Sequence, residues 1–496
     1  MSDESKKTVA VIGGGIGGLM SAMELQKQGY KVTIFEETVR HGGKIEGGAL
    51  AGHEINLGAE FIDSDSRVME LAKQLNVKLV KAEDMQAENF QRSDGTLIKG
   101  EEFHKAIEPL KELMIRDQKK LADSKGQPTD KAIELDLQSM PEYLHSLNKE
   151  LKASGKEGVS PEILKMVSGA FASEFGQDPK NVSALQMLKE SSTEYDSLLK
   201  SDAGWRVAGG THKLIEAMRQ HLAENGAEFH TGTKLEALAK NDNNKFNLKL
   251  SGENTDNLNT EFDRVSLAVP AHALAKISGL EEVGMNSKTK QFLSELQTTH
   301  SSKIFIKTKD GADLPKINIF GDKWQAWDGQ ENVVTFLVGG KELNDMGQEN
   351  LTKLLMTKYA AALGKKPNDI FELDGKSMPK EMVFGAPDTT RPCYPSPSVG
   401  QSTKASVINS TIEHMAKNGI AISGNFVPDK YGSVGFMENA VESAHNSAKL
   451  MKENESLIDR TINSIANLAI SATKSTSNIL PHKINNGNDR GGGIAM

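Results

Sequence analysis

Gly13, Gly15 and Gly18 form a G-x-G-x-x-G pattern that follows the apolar run Val9-Ala10-Val11-Ile12. Glycines at that spacing allow a tight turn, let a pyrophosphate approach the backbone, and let a helix pack closely on a strand. The N–H groups at the start of such a helix face the phosphate charge. Glu36 lies 21 residues beyond Gly15, where a carboxylate can accept both hydroxyls of a ribose. These residues specify a dinucleotide site.

Local elements must hold them in place. The pattern predicts a strand at Thr8–Ile12, a helix running to Gly29, and a second strand at Tyr30–Phe35 that delivers Glu36. Lys6 and Lys7 before an apolar stretch imitate a secretory leader, but a leader does not explain the strand and acid that follow. The expected location is cytoplasmic. The chain has 496 residues, with 59 Lys plus Arg against 67 Asp plus Glu and a net charge of −8. That balance, without a basic run, argues against a nucleic-acid partner. No apolar stretch is long enough for a transmembrane anchor. Cys393 is the single cysteine, which excludes an internal disulfide and a Cys-based metal cluster, and no metal site is expected.

Three further segments decide which dinucleotide. Arg40-His41-Gly42-Gly43-Lys44 follows Glu36, then comes Ile55-Asn56-Leu57-Gly58-Ala59-Glu60-Phe61-Ile62. Near the end stand Gly424-Asn425 and Gly432-Ser433-Val434-Gly435-Phe436-Met437-Glu438-Asn439-Ala440. Over residues 8 to 450 the chain resembles the flavin-containing amine oxidase superfamily of monoamine, L-amino-acid and protoporphyrinogen oxidases, and bacterial flavin monoamine oxidases in particular. The resemblance implies FAD. It places Gly13, Gly15, Ile16, Gly17, Gly18 and Glu36 at the nucleotide, with Arg40, Gly43 and Lys44 in the next segment and Leu235 at the adenine. Gly58, Ala59, Glu60 and Phe61 come beside the flavin ring, and Gly424, Asn425, Phe436 and Met437 belong to a C-terminal signature whose helix start points at the isoalloxazine and the pyrophosphate. Two positions depart from the family: Lys44 stands where it has Arg, and Asn425 where it usually has an acid.

The implied fold class is α/β: a Rossmann-like FAD-binding domain interleaved with an α+β substrate-binding domain. The first takes residues 7–62, 205–290 and 394–450, the second 63–204 and 291–393, and 451–496 form a tail. Residues 63–204 read mostly as helix, with a capping box at Ser139–Glu142 and a solvated charged face over Lys105–Lys125. In the tail, Ile458, Ile462, Ile465 and Ala469 are spaced for a short amphipathic helix, and disorder is expected from Ser475.

The resemblance also assigns roles. Lys303, on an otherwise apolar strand, corresponds to a lysine that holds a water against the flavin and assists reoxidation by oxygen; the alternative is an edge lysine facing solvent. Tyr394 and Phe436 match an aromatic pair that guides the amine. Cys393 occupies the position that binds the flavin covalently in monoamine oxidases, although the flanking Pro392 and Pro395 favour non-covalent FAD. Glu60 could attract a distal ammonium or satisfy backbone N–H groups. The expected reaction removes a hydride from a carbon next to an amine, with a small amine and oxygen as partners; the oligomeric state is left open. Rival readings are a protoporphyrinogen-oxidase- or desaturase-like enzyme and an FAD-binding protein without turnover.

Overall fold

The computed structural model describes residues 6–85, 87–121, 128–190, 204–253, 255–330, 332–385, 393–428 and 432–455. The chain divides into two compact units, Met1–Met451 and Lys452–Met496. Of the second unit, residues 452–455 are described and are helical. The expected helix over Ile458–Ala469 and the disorder from Ser475 lie outside the described residues.

In the first unit, a five-stranded parallel sheet has the order Glu228–His230, Lys31–Phe35, Thr8–Ile12, Arg264–Leu267, Ile420–Ile422. Its strands come from three well-separated stretches of chain. Successive side chains of a strand point to opposite faces. Val9 and Val11 thus pack with Leu19, Ala22 and Leu25 of the helix Ile16–Lys27 and with Leu214 and Met218 of the helix His212–Glu224. Ala10 and Ile12 pack on the other face with Phe35, Val265, Leu274 and Met415. Cover on both faces is what a parallel sheet requires.

A seven-stranded sheet runs Met382–Gly385, Ser301–Lys307, Val333–Gly339, Trp324–Gln330, Asn318–Phe320, Glu88–Gln91, Leu97–Lys99. Its pairings are antiparallel except that between Asn318–Phe320 and Glu88–Gln91. Two of its strands therefore come from the region read mostly as helix. A third short strand from that region, Leu79–Lys81, pairs with Trp205–Val207, which also pairs with Phe61–Ile62. Three- and four-residue strands are too short for a period of two to stand out. Most of the other described residues of the region are helical, including Gly100–Gln118, Met140–Ala153 and Pro161–Phe175. Glu142 accepts from the Ser139 N–H at 2.8 Å, as the box predicts, and also from the Ser139 Oγ hydroxyl at 2.7 Å. The charged run is not wholly solvated: Lys111 and Asp117 are buried, and Asp117 takes Arg116 at 2.9 Å and the Tyr143 hydroxyl at 3.2 Å.

Candidate active site

The glycine turn is fixed by contacts that exclude a side chain. Gly13 has φ +107°, and a Cβ there would lie 2.5 Å from the Ala268 carbonyl oxygen. A Cβ on Gly18 would meet the Gly13 carbonyl oxygen at 1.8 Å. The helix Ile16–Lys27 is capped by Gly15, which provides no side-chain hydrogen bond, and its first turn holds no acid. That end retains the polarity that favours an anion. Glu36 is buried; it accepts from the Gly14 N–H at 2.7 Å and from the N–H and hydroxyl of Thr38 at 2.9 and 2.8 Å. Leu235 is buried in the strand Thr233–Lys240, just before an irregularity in its pairing with Phe246–Gly252.

The next segment folds back on this turn. The Gly42 N–H donates to the Gly14 carbonyl at 2.8 Å, and a Cβ on Gly43 would sit 3.3 Å from Gly15 Cα. Arg40 turns onto its own loop, donating to the carbonyls of Gly43 at 2.8 Å and Ile45 at 3.2 Å and to Glu46 at 2.6 Å. It clamps the loop. The Lys44 carbonyl receives the Ala59 N–H at 3.2 Å, so close that a Cβ on Gly58 would lie 1.9 Å away. The Lys44 side chain is half-buried and donates to Asn425 Oδ1 at 3.1 Å. Burial lowers its pKa to about 8, against a small opposing effect of Cys393. The two positions that depart from the resembled family are in contact.

Lys303 is not an edge lysine. Its ammonium donates to the carbonyls of Asn56 at 3.1 Å and Gly58 at 3.0 Å and to Glu60 Oε2 at 2.8 Å, and lies 5.5 Å from the centre of the Trp327 ring. An ammonium has three donors, and all three are engaged. Glu60 Oε1 accepts from Arg206 Nε at 2.8 Å, and Arg206 grips Asp84 with Nη1 and Nη2 at 2.5 and 2.7 Å. Burial pushes the Glu60 carboxyl up, but Lys303 and Arg206 more than offset this and hold it below the usual range. Glu60 therefore pairs with two buried cations, and neither role foreseen for it, ammonium attraction or backbone capping, describes it. Phe61 lies under the Arg206 guanidinium at 4.7 Å and edge-on to Trp327 at 5.5 Å.

Arg206, Asp84 and Trp327 escaped the sequence reading. The available signal was a charged residue inside the apolar strand Trp205–Val207, the same signal that marked Lys303. Beside them opens a cleft of about 340 Å³, bordered by Asn56, Lys81, Glu83, Asp84, Arg206 and Asp328. Burial, with Asp84 nearby, pushes Asp328 up to about 6.

Tyr394 donates its hydroxyl to the Glu174 carbonyl at 2.6 Å, with Ser301 Oγ at 3.3 Å. A Cβ on Gly435 would lie 3.6 Å from Tyr394 Cδ2; the next residue, Phe436, is 45 % exposed. Burial raises the Cys393 thiol above its ordinary pKa, opposed by Lys44 and a hydrogen bond to Thr299. Asn425 ties the closing loop, with Nδ2 donating to the Gly435 carbonyl at 3.0 Å and its own carbonyl accepting the Gly435 N–H at 2.7 Å. The helix beyond it, from residue 437, brings Ala440 against Gly17, whose Cβ would lie 3.3 Å from the Ala440 carbonyl oxygen. Met437 packs on the cluster around that helix pair. Glu438 accepts the N–H groups of Arg67 and Val68 at 2.9 and 3.1 Å, so this helix locks onto the start of the helix Arg67–Gln74.

The profile of the flavin containing amine oxidoreductases matches residues 16–452. The chain belongs to this family. A nicotine dehydrogenase of Pseudomonas putida is 24 % identical over 328 residues, 64 % of this chain and 63 % of that enzyme. The chain thus spans less than two thirds of that relative's length. A 4,4'-diaponeurosporene oxygenase of Staphylococcus aureus is 24 % identical over 258 residues, 46 % of this chain and 50 % of the relative. Among solved structures, putrescine oxidase bound to putrescine superposes with a TM-score of 0.70 at 18 % identity, covering 90 % of this chain and 98 % of that one. Cyclohexylamine oxidase from Brevibacterium oxydans gives 0.69 at 15 % identity, with 91 % and 100 % covered. These two likenesses are of fold.

FAD is the cofactor that membership of the flavin containing amine oxidoreductases implies, and the donor set here fits it. An uncapped helix start and the half-buried cation Lys44 suit a diphosphate, the buried Glu36 carboxylate suits hydroxyl donors, and the Gly15–Gly43 approach leaves a cradle that a Cβ would fill. Among the described residues no helix is long and apolar enough to cross a membrane, and no cluster of His, Cys, Asp and Glu could hold a metal ion.

Proposed function

We propose that this chain is an FAD-dependent amine oxidase that converts an amine to an imine, then to an aldehyde and ammonia, with oxygen as the acceptor. FAD, when bound, supplies the acceptor for a hydride from the carbon beside the amine and the route by which the electron pair reaches oxygen as hydrogen peroxide. In this reading the five-stranded sheet is the core of an FAD-binding domain formed by residues 7–62, 205–290 and 394–450. The seven-stranded sheet is the core of a substrate domain formed by 63–204 and 291–393.

The observation that carries the proposal is the seat of Lys303, whose ammonium rests on the Asn56 and Gly58 carbonyls and on Glu60. In the flavin proteins this chain resembles, that Leu-Gly segment runs beside the ring. Because its three N–H bonds are engaged, we assign Lys303 a fixed positive charge that stabilises anionic oxygen, rather than a bridging water. A preorganised charge of this kind costs no rearrangement when negative charge develops. Glu60 and Arg206 position it. Tyr394, and Phe436 with its exposed ring, would orient the amine, and a desolvated amine is held neutral. The position after the Leu-Gly segment holds Ala59-Glu60-Phe61 and no arginine for a carboxylate, which supports an amine over an amino acid as substrate.

The purified protein should be yellow, and peroxide release across a panel of mono-, di- and polyamines tests the reading. Silence on every amine, with slow anaerobic reduction of the bound flavin, rejects it. The diaponeurosporene oxygenase likeness supports a second reading, oxidation of a carotenoid-type polyene. Flavin reduction by such a polyene, with none by amines, would select it.

A further inference from the structure

We propose that Asn318 and Trp327, set in place by Gln325, form a second recognition point of the substrate site, one that binds a neutral carbonyl oxygen carried by the amine. The inference rests on the amine-oxidase reading above and names a feature of its substrate. In the seven-stranded sheet, Lys303 stands opposite Leu337 and Leu337 opposite Gln325, while Trp327 stands opposite Asn318. Directly opposed residues share a face of a sheet, as do residues two apart on one strand. Lys303, Gln325, Trp327 and Asn318 therefore project from the same face. Gln325 lies two strand spacings, about 10 Å, from Lys303. The other face packs Ile304, Ile319, Ala326 and Phe336 into an apolar cluster.

A face that served only as core would need no amides, yet Asn318 is fully buried and Gln325 nearly so. Gln325 Nε2 donates to Asn318 Oδ1 at 2.9 Å, which fixes the Asn318 amide and leaves its Nδ2 over. That Nδ2 and the indole Nε1 of Trp327, a residue 1 % exposed, are buried without an acceptor among the described residues. A buried donor left unmade is costly. Two of them on directly opposed residues are close enough to share one acceptor.

The donors select the ligand. An ammonium has donors alone and cannot satisfy an amide or indole N–H. A carboxylate would bring a buried charge that needs a cation, and the cations on this side are taken. Lys303 pairs with Glu60, and Arg206 with Glu60 and Asp84. A neutral carbonyl oxygen offers two lone pairs, one for each donor. Glu88, next across the sheet from Asn318, is engaged by His104 Nε2 at 3.1 Å. The substrate class is thus an amine that bears an amide or ketone remote from its reacting carbon.

The test is kcat/KM for peroxide release by the FAD-loaded enzyme with three probes of matched length. They are a straight-chain alkylamine, a diamine, and that diamine acetylated at one end. Wild type should prefer the acetylated probe to the alkylamine by about tenfold or more. In Asn318→Leu and in Trp327→Phe that preference should fall about tenfold, mainly through KM, because the bond is made away from the reacting carbon. A wild type without the preference overturns the inference. So does a preference unchanged in both variants, the result for donors that hold only a buried water. A diamine favoured over its acetyl derivative also overturns it, and assigns recognition to Glu88. Should Asn318→Leu not fold, Trp327→Phe decides. Silence on all three probes and on every other amine overturns the amine-oxidase reading itself, a different result from any of these.

Discussion

Lys303 donates to Glu60 over 2.8 Å although the two residues stand 243 positions apart. The other oxygen of the same carboxylate takes Arg206, also at 2.8 Å. Removing one partner from a buried ion pair costs about 3–5 kcal/mol. Glu60→Ala, which leaves the Lys303 ammonium with carbonyl partners alone while Arg206 keeps Asp84, is expected to lose about that much stability in urea unfolding. Lys303→Met should cost less, because Glu60 keeps Arg206. Equal losses, or a loss under about 1 kcal/mol for Glu60→Ala, would refute the network.

The same pair sets an acid limit. The folded Glu60 carboxyl lies below its ordinary value of 4.5. Its contribution is therefore complete above that ordinary value and is lost as the pH falls through the lower, folded one. Melting temperatures of wild type should drop more steeply than those of Glu60→Gln below about pH 4.5. Parallel curves would remove Glu60 from the acid transition.

If Lys303 serves oxygen as a fixed charge, its loss should show in one half-reaction. Lys303→Met is expected to slow reoxidation of the flavin by about tenfold or more and reduction by amine far less. Rapid-mixing measurements of each half-reaction decide it, and equal slowing would take the role away.

The glycine turn was legible because its signal is local: Gly13, Gly15, Gly18 and Glu36 lie within one strand–helix–strand unit. The Lys303 anomaly was legible too, as a charge on an apolar strand. Its partners were not, because Asn56, Glu60, Arg206 and Asp84 meet only when three chain segments fold together. Lys44 and Asn425 each stood out as a departure, but nothing local connects residues 381 positions apart. The strand Glu88–Gln91 was missed because it takes its place in the larger sheet from tertiary pairing with Asn318–Phe320.

Gly58→Ala should disturb the cofactor segment without altering any charge. Its new Cβ would stand 1.9 Å from the Lys44 carbonyl oxygen, a backbone atom. Overpacking of that kind costs about 1–3 kcal/mol. A lower melting temperature together with weaker FAD binding is the expected pair of results. Unchanged values for both would show that the two segments separate freely.

Cys393 has a thiol raised by burial, and the thiolate is the reactive form. Acid precipitation is therefore expected to release the yellow colour into the supernatant, and Cys393→Ala to retain full flavin content. Colour that stays with the wild-type pellet and leaves with the mutant would establish a covalent bond.

The five-stranded sheet sets a schedule for biosynthesis. Its central strand, Thr8–Ile12, leaves the ribosome first, but its neighbour Arg264–Leu267 appears only past mid-chain and the edge strand Ile420–Ile422 near the end. Ala440, which closes on Gly17, is made later still. A nascent chain halted at residue 400 would carry every glycine of the first motif and have no finished pocket to offer. The parallel sheet thus stays incomplete until residue 422 has been made, and the approach of Ala440 to Gly17 follows it.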